Sequence, residues 1–348
     1  MKLANKTFKA AVLFKQNKKL KVTDIRLPSK LKKGQVLVKV ISASICGAQI
    51  GEIKGNKGPD KWLPHCMGHE GYGLVVHKNK SVKTVKKGDH VIMHWRKGSG
   101  INAQPPIYNS KFGNINAGQI TTFQEYSVVS ENRLTKINKI SKKNHLIAPL
   151  LGCAIPTSWG ILNNELKINS NQKYLIFGAG GIGISIALFA KLYKVKNLLV
   201  IDRHENKKKY LNKIKVKFLN IKKLDKIKNN KYDKVIDTTG SMNIISKAFN
   251  YVDKNGQFLL VGQPKKNSIL RLKDPLKLFN PPSDNIKIFT SDGGLFEPKK
   301  HMNKIIKIFN LNKFKFKNLV SHTVSLDEIN KGIYLVMKGK AARVSIRL

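Results

Sequence analysis

The fold is first visible in residues 173–193, which read KYLIFGAGGIGISIALFAKLY. A short apolar run, 173–177, is followed by a glycine-rich turn and then by an apolar stretch of helical length. A strand, a G-x-G-x-x-G turn and a helix in this order are typical of a dinucleotide-binding βαβ unit. Strand patterns recur at 198–201, 232–237 and 257–262. This alternation predicts an α/β fold with a doubly wound parallel sheet.

The glycine-rich turn supplies the features that a pyrophosphate requires. Gly178 permits the tight turn, Gly180 lets the backbone approach the ligand, and Gly183 allows close packing of helix on strand. The helix that begins at Gly181 and Ile182 presents unpaired N–H groups to the phosphates. The alternative is a glycine-rich turn without a ligand.

An acidic residue stands where a ribose-binding acid is expected. Asp202 ends the next apolar strand, 19 residues after Gly183. Its carboxylate would accept hydrogen bonds from the ribose hydroxyls and repel a 2′-phosphate, which predicts NAD rather than NADP. Arg203 weakens that preference, because a guanidinium can pair with a phosphate. The alternative role of Asp202 is a helix cap.

The rest of the chain reads differently. Residues 1–155 predict short strands separated by turns. Examples are the strands at 35–40 and 71–77, and the turn that leads into a strand within 88–93. Residues 96–122 are rich in Gly, Asn, Pro and Ser and predict an excursion with little regular structure. The final 50 residues predict one or two helices, including 325–338, and a closing strand.

Composition excludes several classes of protein. The chain has 348 residues, 66 Lys and Arg against 20 Asp and Glu, and a net charge of +46. Hydrophobic content of 41% argues against a disordered polybasic chain. Lysines occur throughout both halves rather than in one patch, which disfavours specific nucleic-acid binding. The N-terminus lacks a secretory h-region and residues 174–201 make a poor membrane span, so the cytoplasm is the expected location.

Three cysteines are too few for a disulfide framework and suit a reducing compartment. Cys46, His69 and Cys153 form a Cys₂His set, which is one of the arrangements that bind catalytic zinc with one position open. The spacing of these residues alone is weak evidence for a metal site, because the three residues are separated by 23 and 84 positions. A single cysteine is more often a small buried hydrophobic residue than a ligand.

Ordered motifs across the whole chain resemble the zinc-dependent medium-chain alcohol dehydrogenases. These motifs are CG at 46–47, GHEGYG at 68–73, GDHV at 88–91, GCAIPTSWG at 152–160, GAGGIG at 178–183, SHTVSLDEIN at 321–330 and GKAARV at 339–344. The resemblance implies a β-rich GroES-like catalytic domain, 1–155 completed by 295–348, and a Rossmann NAD-binding domain, 156–294.

The resemblance also implies the roles of individual residues. Cys46, His69 and Cys153 would hold one catalytic zinc, with Glu70 as a nearby acid. Thr157 would contact the nicotinamide, and Arg343 would contact the pyrophosphate. The reaction implied is hydride transfer between an alcohol and the nicotinamide.

Departures from the family pattern surround the first cysteine. Ala48 replaces the usual Ser or Thr, whose hydroxyl passes the alcohol proton outward. Gln49 replaces the usual Asp, which predicts weaker metal binding. Residues 95–123 contain no Cys, so a structural zinc is not expected.

Two further residues have open interpretations. His94 and the adjacent Trp95 fall where relatives line the substrate pocket, so His94 is a candidate replacement proton path; a hydrogen-bonded or solvent-facing histidine is the alternative. Cys66 has Cys-x-x-His spacing to His69 but lies outside the matched positions, which favours a bystander thiol.

The sequence therefore predicts an NAD-dependent zinc oxidoreductase acting on a small alcohol, polyol or sugar, possibly phosphorylated. A homodimer or homotetramer is expected from the resemblance, without a nucleic-acid or membrane partner. The alternatives are a zinc-free quinone-reductase-like enzyme and a catalytically degenerate dehydrogenase fold with a binding role.

Overall fold

The computed structural model describes residues 6–279 and 283–348. Its strands are β1 Thr7–Leu13, β2 Lys21–Arg26, β3 Gln35–Ile45, β4 His65–Cys66, β5 Gly71–Lys78, β6 His90–Met93, β7 Ile107–Ser110, β8 Gly113–Asn116, β9 Tyr126–Ser130, β10 Leu134–Ile137, β11 Lys173–Phe177, β12 Asn197–Asp202, β13 Lys217–Asn220, β14 Tyr232–Asp237, β15 Val252–Leu260, β16 Lys287–Thr290, β17 Val320–Ser325 and β18 Arg343–Arg347. Its α-helices are α1 Gly47–Ile53, α2 Ala154–Gly160, α3 Gly181–Leu192, α4 Lys208–Lys213, α5 Met242–Phe249, α6 Pro298–Leu311, α7 Lys313–Phe316 and α8 Ile329–Met337.

The second half of the chain forms the expected parallel sheet. Its strand order is β13-β12-β11-β14-β15-β16, and every neighbouring pair is parallel. The order reverses at β11, as in a doubly wound dinucleotide-binding sheet. Along β11, Tyr174 and Ile176 enter one hydrophobic cluster while Leu175 and Phe177 enter another. Both faces of the sheet are therefore covered, which explains the continuous apolar run in the sequence.

The first half of the chain forms two β structures. Strands β1, β2, β7, β8 and β4 make a closed barrel. A second sheet has the order β10-β6-β5-β3-β18-β17, with β9 also paired to β3. The long strand β3 is its centre, since β5, β9 and the C-terminal strand β18 all hydrogen-bond to it. This combination of a β-rich GroES-like part and a Rossmann-type sheet confirms the predicted fold class.

The expectation of little regular structure in residues 96–122 is confirmed for most of that stretch, but the sequence does not predict the hairpin that β7 and β8 form within it. The propensities of these strands are poor, but β7 pairs with β2 and β8 pairs with β4. Tyr108 of β7 and Ile115 of β8 are completely buried in one hydrophobic cluster with residues of β1 and β2. Tertiary pairing and burial thus outweigh the turn-rich composition.

The helical elements match the sequence patterns more closely. The helix expected after the glycine-rich turn is α3, and the one expected within 325–338 is α8. In the described part of the chain, helices are too short or too polar to cross a membrane.

Candidate metal and coenzyme site

The structure brings Cys46, His69 and Cys153 together. Cys46 lies between β3 and α1, His69 precedes β5, and Cys153 precedes α2. One ligand atom from each lies within 4.8 Å of the other two. Both cysteines are buried, with exposures of 7% and 8%. Two thiols and an imidazole in a tetrahedron with one position open suit Zn²⁺.

The side-chain atoms of this group lie close together and are available to bind a metal ion. The Nε2 atom of His69 is buried and has no hydrogen-bond partner among the described residues. The Cys46 thiol hydrogen-bonds with Cys153, and this contact lowers the pKa of Cys46 and raises that of Cys153. A metal ion would displace the proton that the two sulfurs share and would bind the imidazole nitrogen that has no partner. The residues therefore fit a zinc ion.

Gln49 contacts two parts of this group. Its Oε1 accepts the backbone N–H of Cys46 at 2.9 Å, and its Nε2 lies against Nδ1 of His69. The backbone N–H can only donate, so the amide oxygen must face Cys46 and the amide nitrogen must face His69. Nδ1 of His69 then acts as the acceptor. In a neutral imidazole this places the proton on Nε2, the nitrogen that a metal would need.

Glu70 is buried beside the same group and is paired with Arg343. Its Oε1 accepts from Nη1 of Arg343 at 2.9 Å, and the two side chains are 0% and 3% exposed. Burial raises the pKa of Glu70 to about 7, although the Arg343 charge acts in the opposite direction. The same guanidinium donates to the carbonyl of Ile45, the residue before Cys46.

Arg343 also reaches the glycine-rich loop. A Cβ on Gly181 would lie 2.3 Å from Nε of Arg343, so the loop and the guanidinium are in direct contact. Nε and Nη2 of Arg343 are buried and have no partner among the described residues. The charge and the free N–H groups fit the expected contact with a pyrophosphate, and that role stays a prediction.

The glycines of the loop have the expected separate uses. Gly178 has φ +100°, a conformation that favours glycine. A Cβ on Gly183 would lie 1.9 Å from the carbonyl oxygen of Gly178, so only glycine allows α3 to pack this closely. A Cβ on Gly180 would meet nothing within 4 Å, which leaves open space beside that backbone. Ile182, the next residue but one, is partly buried at the start of α3.

Asp202 has protein partners in this structure. One carboxylate oxygen accepts the N–H of Ala179 at 2.7 Å and the other accepts the N–H of His204 at 2.8 Å. Asp202 therefore fixes the glycine-rich loop against the end of β12, as well as lying where a ribose is expected. Arg203 beside it is exposed and donates to His204 at 3.0 Å. Contacts of either residue with a coenzyme stay predictions.

Thr157 lies in α2, one helical turn after Cys153. Its N–H donates to the Cys153 carbonyl at 3.0 Å, and its side chain is mostly buried. Its carbonyl oxygen lies 2.4 Å from where a Cβ on Gly294 would be, so the segment around Gly294 runs directly alongside. The helix thus connects the candidate metal ligands to the coenzyme-binding half.

His94 is held away from Cys46, His69 and Cys153 as a structural histidine. Its Nδ1 donates to the Arg96 carbonyl at 2.8 Å, and its Nε2 accepts from the Thr135 hydroxyl at 3.0 Å. The ring is completely buried, and burial lowers its pKa to about 4. This is the hydrogen-bonded alternative that the sequence left open. Ala48, by contrast, is exposed to solvent.

Cys66 lies in β4 and packs in the barrel interior, where burial raises its pKa. It is not part of the Cys46, His69 and Cys153 group. The neighbouring His65 contacts Asp60 at 2.8 Å and Glu52 at 3.8 Å. The sequence did not single out this ion-pair group, because its members are separated along the chain by turns without a recognisable spacing.

Comparisons with known proteins show which proteins this chain is similar to. Residues 32–139 match the family model of the alcohol dehydrogenase GroES-like domain. S-(hydroxymethyl)glutathione dehydrogenase from Escherichia coli is 27% identical over 382 aligned positions, covering 97% of this chain and 99% of that protein. Across nearly its whole length the chain is therefore similar to the medium-chain alcohol dehydrogenases. This confirms the family resemblance on which the sequence interpretation depends.

Solved structures of alcohol dehydrogenases share the whole fold. Benzyl alcohol dehydrogenase from Acinetobacter calcoaceticus superposes with a TM-score of 0.84 at 21% identity, covering 99% of both chains. The 2R,3R-butanediol dehydrogenase from Bacillus subtilis superposes with a TM-score of 0.76 at 19% identity, covering 98% of this chain and 99% of that one. The fold is therefore shared with dehydrogenases that are named for different alcohols.

Replacing Gln49 by Glu is expected to tighten zinc binding. A carboxylate accepts from the Cys46 N–H and from Nδ1–H of His69 together, which leaves Nε2 free for the metal. The dissociation constant for zinc, measured by competition with a chromogenic chelator, should fall about tenfold or more. The exposed Gln104→Glu change adds the same charge and should leave that constant unaltered. Equal affinities for Gln49→Glu and the parent protein would contradict this account of Gln49.

Acid is expected to destabilise the protein through His94. The unfolded chain binds this proton near pH 6.5, whereas folded His94 binds it only near pH 4. Stability is therefore retained above about pH 6.5 and falls by on the order of 2–3 kcal/mol as the pH drops to 4. In His94→Gln this part of the fall, measured by urea unfolding at several pH values, should disappear. Thr135→Val keeps the buried ring and should keep the fall.

Proposed function

We propose that this chain is a zinc-dependent oxidoreductase that transfers a hydride between NAD(H) and an alcohol, polyol or sugar-type hydroxyl or carbonyl group. The observation that carries the proposal is the convergence of Cys46, His69 and Cys153 within 4.8 Å, with Nε2 of His69 lacking a hydrogen-bond partner among the described residues. Relatives named as dehydrogenases of S-(hydroxymethyl)glutathione, benzyl alcohol and butanediol support the reaction class.

Each residue of the site has a distinct part in this proposal. Cys46, His69 and Cys153 hold one catalytic zinc, and the hairpin β7–β8 is stabilised by packing without a structural zinc. When bound, zinc acts as a Lewis acid that polarises the substrate oxygen and lowers the pKa of a bound alcohol. Glu70 positions Arg343 between the metal ligands and the glycine-rich loop.

The coenzyme part of the proposal rests on the loop and its surroundings. Gly178, Gly180, Gly181, Ile182 and Gly183 would form the pyrophosphate cradle, because the space beside Gly180 is open. Arg343 would supply positive charge there through its two unpartnered nitrogens. Thr157 would contact the nicotinamide. NAD is preferred over NADP because Asp202 presents a carboxylate at the ribose position, although Arg203 lies next to it.

We also propose a domain organisation, an oligomeric state and a location for this protein. Residues 1–155 with 295–348 would form the catalytic domain and 156–294 the NAD-binding domain. The substrate would be a small molecule. The protein would be a homodimer or homotetramer in the cytoplasm. Neither nucleic acid nor a membrane would be a specific partner.

The alternatives have less support. A zinc-free quinone-reductase-like enzyme is not favoured, because all three ligand positions are occupied and converge. A degenerate protein with a binding role would draw support from Ala48 and Gln49. The intact glycine-rich loop and metal ligands argue against that role.

Removing one proposed ligand tests the function directly. Cys46→Ala is expected to lose tightly held zinc and to lower alcohol-dependent NADH formation by about a hundredfold or more, because three protein ligands are needed for a catalytic site. Cys66→Ala removes a buried thiol outside the site and should keep both metal and activity. Metal analysis and NADH absorbance with polyols, sugar phosphates and short alcohols are the measurements. Full activity in Cys46→Ala would refute the proposal.

The alcohol substrate must release a proton when it is oxidised. Ala48 is exposed, and His94 has both ring nitrogens bonded to protein groups, so the alcohol proton would leave through water. Ala48→Ser supplies a hydroxyl and is expected to raise kcat or flatten its pH profile. Ala48→Gly, which adds no hydroxyl, is the control. Identical pH profiles for Ala48→Ser and the parent, with zinc bound in both, would show that no relay is needed.

A further inference from the structure

A cavity of about 390 Å³ lies between the segment that follows β6 and the segment that precedes α6. Its charged lining consists of Arg96, Lys97, Arg133, Asp292 and Glu297. Its volume falls within the range of small-molecule sites. Trp95 also lines it and gives it one aromatic wall.

The negative charges of this cavity are already neutralised. Asp292 forms a two-point ion pair with Arg96, with N–O distances of 3.2 and 3.1 Å. Glu297 pairs with Lys300 at 2.9 Å. The cavity therefore keeps the positive charges of Lys97 and Arg133 in excess. Within the described ranges, neither of these two side chains has an ion pair with a carboxylate.

Arg133 is unusual because it is buried. It is only 9% exposed, yet its partners are neutral oxygens: the Trp95 carbonyl at 2.8 Å and Oε1 of Gln119 at 2.6 Å. Its Nε–H has no partner in the described part of the chain. A guanidinium remains charged under all ordinary conditions. A buried cation without an anion is costly, and an anionic ligand in the cavity would offset that cost.

The cavity is connected to the candidate metal site through the backbone. Arg133 binds the carbonyl of Trp95, and the N–H of Trp95 donates to the carbonyl of Gly152 at 3.4 Å. Cys153 is the next residue in the chain. On the opposite wall, the segment at Gly294 runs against Thr157 of α2. The cavity wall at Trp95 and the candidate ligand Cys153 are therefore joined by one backbone hydrogen bond and one peptide link.

We propose that the cavity binds an anionic group of the alcohol substrate, a carboxylate or a phosphate, and that Arg133 selects for it. This inference rests on the proposed function and narrows its substrate class to anionic alcohols. Arg133 forms charge-assisted hydrogen bonds with the oxyanion, and Lys97 adds a second positive charge at the rim.

Matched pairs of neutral and anionic alcohols test the selection. The pairs are benzyl alcohol with 4-(hydroxymethyl)benzoate, and glycerol with glycerol 3-phosphate, so a carboxylate is distinguished from a phosphate. In Arg133→Gln, kcat/KM for the preferred anionic member should fall about tenfold or more, with the neutral member little changed. Arg133→Lys should recover part of the loss. Lys139→Gln, an exposed change of equal charge, should alter neither. An unchanged anionic preference in Arg133→Gln overturns the proposal.

A binding measurement separates this inference from the proposed function. With ADP-ribose present to occupy the glycine-rich loop, inorganic phosphate and acetate are added at constant ionic strength and the rise in Tm is recorded. Stabilisation by either anion in the parent and in Lys139→Gln, but not in Arg133→Gln, supports the site even if no alcohol is oxidised. Equal stabilisation of all variants, or none in the parent, overturns it. If Arg133→Gln fails to fold, the exposed Lys97→Gln change replaces it and should weaken the anion effect about two- to threefold.

Discussion

The buried ion pair of Glu70 and Arg343 joins the parts of this molecule on which its chemistry would depend. Arg343 begins the C-terminal strand β18, donates to the residue before Cys46, and packs against Gly181 of the glycine-rich loop. Glu70 follows His69 directly. Taking two charges out of water is costly, and their mutual attraction offsets that cost only while both are present. One side-chain contact thus connects the segments that carry the candidate metal ligands with the glycine-rich loop.

Much of this arrangement could be predicted from the sequence, because it depends on local patterns. The apolar strand at 173–177, the glycine spacing after it and Asp202 follow from the backbone requirements of one βαβ unit. The convergence of Cys46, His69 and Cys153 could be predicted only through the family resemblance. Their separations of 23 and 84 residues reflect how three loops meet around β3, which no local spacing records.

Other features depend on contacts between distant segments and could not be predicted. The strands β7 and β8 form in a turn-rich stretch because β2 and β4 supply their hydrogen-bond partners. The family resemblance places His94 in the substrate pocket, but its two ring nitrogens form hydrogen bonds with the Arg96 carbonyl and the Thr135 hydroxyl. No sequence pattern distinguishes Arg133 from the other members of a set of 66 basic residues. Only burial without a carboxylate distinguishes its charge from those on the solvated surface.

The position of β18 has a consequence for how the protein is made. This strand, within the last six residues of the sequence, lies between β3 and β17 at the centre of the first sheet. During translation, β3 emerges some 300 residues before its partner and exposes an unpaired strand edge for that whole period. The parallel sheet of the second half has all its strands before then. The first sheet is therefore completed only after β18 has emerged, and until then the edge of β3 that β18 covers is open to pairing with other chains.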